Sequence, residues 1–136
     1  MAKDSIAPPA SVEERWVKVD GDSIPYLAAG ESGPEIVTVH GAGGTRWEWV
    51  ESMTVLASDN RVVAPDLIGF GDSPRRDIVH STGYLGDFLA KFLEATCTGR
   101  VTLVGHSLGG RIILDVALRR PEIVEGLVLI SPLAGC

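Results

Sequence analysis

Cysteine is scarce in this chain: only Cys97 and Cys136 occur in 136 residues. Neither has a second Cys or a His at metal-ligand spacing, so a disulfide framework and a zinc site are both excluded by count. This usage fits a reducing, cytoplasmic compartment, and no metal or other cofactor is expected. Cationic residues are also few. Twelve Lys and Arg stand against eighteen Asp and Glu, a net charge of -6. Nucleic-acid binding needs clustered cations, and the only doublets, Arg75-Arg76 and Arg119-Arg120, are too short to make a patch. They read as solvated loop and helix-end charges. Long apolar runs are missing as well, so no membrane span is expected. Residues 1–14, with Pro8-Pro9, have no signal-peptide core and read as a polar, poorly ordered lead-in.

What remains is an ordinary globular composition, 45% hydrophobic and 22% charged, in a chain long enough for one core. From residue 15 onward, two strand-like segments, Trp16 to Asp20 and Ile24 to Ala28, flank a Gly21-Asp22 turn. Pro25 marks the second of them as an edge or irregular strand. Short apolar runs at Ile36 to Val39, Arg61 to Ala64, Val101 to Val104 and Leu127 to Ile130 read as buried parallel strands.

Between these runs the apolar spacing becomes helical. Trp49, Met53 and Leu56 fall on one stripe; Leu85, Leu89 and Phe92 form a second, with Tyr84 and Phe88 beside it. Ile112 with Val116 and Ile113 with Ala117 form a third. Pro121 stops that helix after Arg119-Arg120. Trp47 and Trp49 read as helix packing. The expected fold class is α/β: three successive βαβ units in a mostly parallel sheet of about six strands with flanking helices. Function in such a sheet belongs at the C-terminal ends of the strands.

Three turns at those ends are unusual. Gly105-His106-Ser107-Leu108-Gly109-Gly110 is a G-x-S-x-G between a strand and a helix. Its glycines remove side chains that would collide around a strained serine, whose oxygen is then presented at a helix N-terminus. His106, adjacent in a tight turn, should point elsewhere and pack on the sheet. His40-Gly41-Ala42-Gly43-Gly44 can present backbone N–H groups toward the neighbouring strand's serine, and it lacks the Lys-Ser/Thr of a phosphate loop. Asp66-Leu67-Ile68-Gly69-Phe70-Gly71-Asp72-Ser73 makes a compact third loop in which Asp66 should hydrogen-bond backbone.

In this order and spacing, His40-Gly41, the segment from Asp66 to Ser73 and the segment from Gly105 to Gly110 resemble the α/β-hydrolase fold family. The resemblance covers residues 15–135, is specific for fold and says little about substrate. It implies Ser107 as nucleophile, with the N–H groups of Leu108 and Ala42 as an oxyanion hole. A serine there points to hydrolysis of ester, lactone or carbon–carbon bonds in a small ester-like substrate. The family's chain order is serine, then acid, then histidine. No Asp, Glu or His follows Glu125 here, so residues 15–136 read as a partial domain, the N-terminal half of a truncated hydrolase core. His80 and His40 are the only substitute bases to consider, each more simply a structural or solvated histidine. Three expectations follow: a half completed by a C-terminal half in trans, a binding module that keeps the core without turnover, or a minimal hydrolase with an improvised base. The strand Leu127 to Ile130 should become a bare sheet edge, to be covered by such a half or by self-association.

Overall fold

The computed structural model describes residues 11–75 and 81–132. Two antiparallel strands, β1 (Val12–Val19) and β2 (Asp22–Ala29), lead into β3 (Glu35–Val39), α1 (Val50–Leu56), β4 (Arg61–Pro65), α2 (Thr82–Thr96), β5 (Val101–His106), α3 (Leu108–Arg119) and β6 (Val124–Ile130). One 3-10 turn, Arg46–Trp49, precedes α1, and a second, Pro121–Ile123, follows α3. The six strands form one sheet in the order β1-β2-β4-β3-β5-β6. The β3-α1-β4, β4-α2-β5 and β5-α3-β6 units are parallel, as the alternation of short apolar runs with helical stripes required.

Strand β1 starts at Val12, inside the segment assigned to the lead-in. It does so because β1 and β2 pair over eight residues each, from Val12 opposite Ala29 to Val19 opposite Asp22, and Val12 is buried. Residues 1–10 lie outside the described residues, so the rest of that assignment has no structural counterpart here.

Pro25 does not mark an edge. Strand β2 sits between β1 and β4, and the proline is tolerated by a local substitution. Continuing the β2–β4 register sets Pro25 opposite Asp66. Opposed residues of this kind normally exchange two N–H···O bonds. The Asp66 N–H donates to the Pro25 carbonyl at 3.1 Å. Pro25 has no N–H to return, and the Ser73 hydroxyl donates to the Asp66 carbonyl in its place at 2.8 Å.

The core lies on both faces of the sheet. On one, Val37 and Val39 of β3 and Leu103 of β5 meet Leu85, Phe88, Leu89 and Phe92 of α2 and Ile112, Ile113 and Val116 of α3. On the other, Leu27, Val62 and Ala64 pack against Trp49 and Met53. Burying one such Leu or Phe side chain contributes about 1.5–3 kcal/mol. Helix α2 opens on Ser81, whose hydroxyl accepts the Tyr84 N–H at 3.1 Å. Helix α3 ends at Arg119, two residues before Pro121.

Candidate functional site

Strand β5 runs straight into the serine turn. Ser107 has φ 57° and ψ -117°, one of three described non-glycine residues at positive φ. A side chain held in that region costs about 1–3 kcal/mol, which surrounding contacts must offset. Those contacts are visible. The Ser107 N–H donates to the Ile130 carbonyl at 3.1 Å, and the Ser107 carbonyl accepts the Gly110 N–H at 3.0 Å. A Cβ on Gly105 would sit 2.5 Å from the Gly109 carbonyl oxygen, and one on Gly109 would sit 2.2 Å from the Val39 carbonyl oxygen. Backbone fills both places, so the two glycines are steric requirements of the turn. Ser107 is half-buried at the N-terminus of α3, where the backbone N–H groups of the first turn gather partial positive charge. Leu108 supplies one of them.

The loop after β3 comes up against the same serine. A Cβ on Gly41 would lie 3.0 Å from the Ser107 Cβ, so only glycine lets the loop approach this closely. The Gly44 N–H donates to the Gly41 carbonyl at 3.0 Å, which closes the loop and leaves Ala42 exposed at its tip. Ser107, the N-terminus of α3 and the Gly41–Gly44 loop are thus brought together.

His40 is fully buried and acts as a strut. Its Nε2 accepts the Leu67 N–H at 3.1 Å, which fixes the proton on Nδ1; Nδ1 in turn donates to the Gly41 carbonyl at 2.8 Å. Both nitrogens are committed, so His40 is not placed to take a proton from serine. Burial pushes its pKa below the ordinary value, against the opposing pull of the Gly41 carbonyl and of Asp66 and Glu48. His80 lies outside the described residues. His106 differs from expectation: its side chain is 45% exposed, with Nδ1 3.4 Å from a Glu48 carboxylate oxygen.

Asp66 bonds backbone, as expected of the turn, but it also anchors a charge cluster that spacing did not reveal. Its carboxylate, fully buried, accepts the Arg46 N–H at 2.6 Å and the Asp72 N–H at 2.7 Å, and it pairs with the Arg46 guanidinium. Arg46, 3% exposed, also reaches Asp72 at 3.2 Å and Glu14 of β1 at 3.3 Å. A Cβ on Gly71 would collide with this carboxylate, which explains that glycine. The cluster ties the loop after β3, the turn after β4 and strand β1 together beneath the rim. Trp47 lies against the Arg46 guanidinium, 5.0 Å from ring centre to carbon, and Trp49 is buried on Met53; both tryptophans are structural.

Among the described residues, no group of three or more His, Cys, Asp or Glu is arranged to hold a metal ion, and no helix is long and apolar enough to cross a membrane.

The strained serine turn at the end of β5, the glycine loop beside it and the mostly parallel sheet covered on both faces define the class of fold. Residues 34–135 match the family described as the alpha/beta hydrolase fold, and the chain belongs to that family. It is 36% identical over 128 residues to an uncharacterized protein of Mycobacterium tuberculosis, spanning 93% of this chain and 36% of that protein. It is 34% identical over 122 residues to the 2-hydroxy-6-oxo-6-(2'-aminophenyl)hexa-2,4-dienoic acid hydrolase of Metapseudomonas resinovorans, spanning 87% of this chain and 42% of the relative. The crystal structure of a membrane phospholipase A, described as a bacterial virulence factor, superposes with a TM-score of 0.89 at 34% identity, over 93% of this chain and 42% of that one. The chain therefore spans about two-fifths of the length of these relatives.

Proposed function

We propose that Ser107 is the nucleophile of a serine-hydrolase centre for ester, lactone or carbon–carbon bonds, with the N–H groups of Leu108 and Ala42 forming its oxyanion hole. The observation that carries this reading is the Ser107 backbone, held at positive φ while Gly41 packs against its Cβ. Strain of that kind is maintained at sites where a side chain must be presented. The serine hydroxyl would attack the substrate carbonyl carbon, and the two N–H groups would bind the oxygen as it takes on negative charge. Each such donor supplies about 3–4 kcal/mol of transition-state stabilisation. The kinship with a dienoic acid hydrolase and a phospholipase A supports hydrolysis and leaves the substrate broad.

Proton transfer is the missing part among the described residues. His40 has both nitrogens bonded, and His106 is turned to Glu48. On this reading the acid and base of the reaction come from another segment or another chain, and the centre formed by the described residues is incomplete. Without a base, catalysis loses a factor of roughly 10² to 10⁴. The second reading, a binding module that keeps the core without turnover, is favoured by the same committed histidines.

A serine-directed phosphonate separates the two. On the hydrolase reading, mass spectrometry finds slow labelling at Ser107 alone, abolished in Ser107→Ala, with little or no turnover of activated p-nitrophenyl esters. Absence of label at Ser107 under conditions that label a control hydrolase would leave the binding module standing.

A further inference from the structure

The Gly41–Gly44 loop and the serine turn follow different strands, and the N–H assigned to the oxyanion sits on Ala42, at the loop's exposed tip. The bond from Gly44 to Gly41 closes the loop on itself and does not fix the tip against Ser107. An oxyanion donor acts only when it lies about 2.7–3.1 Å from the oxygen, so the loop must be held in register with the turn.

Glu48 reaches both parts. It stands on the 3-10 turn that follows the loop, where its N–H donates to the Thr45 carbonyl at 3.2 Å. One carboxylate oxygen, Oε1, lies against Gly44, and a Cβ at that glycine would collide with it. The other, Oε2, is 3.4 Å from Nδ1 of His106, the residue before the serine. The same Nδ1 borders Gly41, 3.5 Å from where a Cβ would stand. The carboxylate is thus wedged between the last glycine of the loop and the histidine of the turn, and the imidazole borders the first glycine.

His106 Nδ1 is shielded from solvent and has no hydrogen-bond partner among the described residues. Its separation from Oε2 is just beyond the roughly 2.7–3.2 Å of an N–H···O bond. A lone pair facing a carboxylate is repelled and an N–H facing it is attracted, so the contact selects the imidazole form with its proton on Nδ1. The carboxylate needs that N–H in turn. An uncompensated negative charge beside the glycine loop would oppose the oxygen as it becomes an anion.

We propose that Glu48 and His106 are positioning residues of the serine centre, together holding the Gly41–Gly44 loop against the Ser107 turn so that the Ala42 N–H meets the oxyanion. The proposal rests on Ser107 being the nucleophile. Neither side chain takes or gives a proton in the reaction; each acts through the loop.

The test is a double-mutant cycle on the rate at which a serine-directed phosphonate labels Ser107, read by mass spectrometry. Glu48→Ala and His106→Leu should each slow labelling by roughly tenfold, less than the roughly 10² to 10³ that a deleted oxyanion donor costs. The double variant should be about as slow as either one, because both act through one contact. Losses that multiply to roughly a hundredfold would overturn the coupling. Glu48→Gln keeps an oxygen to accept the Nδ1 proton and should recover most of the rate that Glu48→Ala loses. Nitrogen-15 spectra supply a reading that a general loss of stability would not move. They should show neutral His106 protonated on Nδ1, and Glu48→Ala should shift that resonance together with the amides of Gly41 to Gly44. Undiminished labelling of Glu48→Ala, or an unmoved His106 resonance, would overturn the proposal. If the truncated variants fail to fold, Glu48→Gln decides alone, since an undisplaced Nδ1 resonance in it would also overturn the proposal. If the unaltered chain takes no label, the nucleophile reading falls, and the spectra still decide whether Glu48 holds the loop.

Discussion

Replacing Asp66 by alanine removes the acceptor on which three donors converge. The Arg46 N–H at 2.6 Å and the Asp72 N–H at 2.7 Å lose their partner, and the buried Arg46 guanidinium loses its nearest anion. Breaking a buried pair by deleting one member costs about 3–5 kcal/mol, because the other charge is left without compensation. Arg46 keeps Asp72 at 3.2 Å and Glu14 at 3.3 Å, but their side chains are 67% and 42% exposed and strongly screened. That partial relief places the loss near the lower bound, about 3 kcal/mol. Against a total stability of about 5–15 kcal/mol, this is a large share. With a urea slope of about 1–3 kcal/mol per molar, the midpoint should fall by roughly 1–3 M. The assay is urea unfolding followed by circular dichroism at one fixed protein concentration, so that association contributes equally to each variant. The paired replacement Arg46→Met, Asp66→Leu removes both charges and should cost less than Asp66→Ala alone. An Asp66→Ala midpoint within about 0.3 M of the parent would refute the reasoning, since a slope of this size cannot hide the loss.

Two further expectations follow from the same site. His40 has its folded-state pKa lowered chiefly by burial, so the unfolded chain binds its proton more readily. Stability should be level above neutral pH and decline as pH falls through the unfolded value of about 6.5, by at most about 1.4 kcal/mol per pH unit. His40→Gln should flatten that decline in urea midpoints taken at pH 7.5 and 5.5, and an unchanged slope would assign it to other groups. Ser107 sits at φ 57° and ψ -117°, where glycine is unstrained. Ser107→Gly should therefore be more stable than Ser107→Ala by about 1 kcal/mol or more in thermal or urea unfolding, and equal stabilities would show that the turn stores no strain.

Much of the scaffold was legible because it depends on local pattern. Apolar runs such as Ile36 to Val39 become parallel strands when both faces are covered, and the spacing of Leu85, Leu89 and Phe92 selects one face of a helix. The Gly105 to Gly110 turn was legible for a steric reason: its glycines meet backbone within the same turn or the adjacent strand end. What escaped the sequence depends on strand order. Arg46 and Asp66 are twenty residues apart and meet only because β3 and β4 are neighbours in the sheet. Pro25 read as an edge or irregular position because its own strand offers no sign that Ser73, far along the chain, will supply the missing donor. Val12 to Glu14 were placed in the lead-in with the polar, proline-containing residues before them, yet pairing with β2 carries them into the sheet. His106 was misjudged for a similar reason, since its neighbour Glu48 is set by the path of the loop after β3.

The bond from the Ser107 N–H to the Ile130 carbonyl has a kinetic consequence. Ile130 ends β6, the outermost strand among the described residues, and regions with few covering contacts open at lower free energy than the core. Each time β6 peels from β5, the serine amide is released, and a backbone held at positive φ by its surroundings is free to relax. On this geometry the serine turn should relax at the opening rate of β6, ahead of global unfolding. Any contact that clamps β6 slows that fluctuation at a distance, lengthening the lifetime of the presented hydroxyl without touching it.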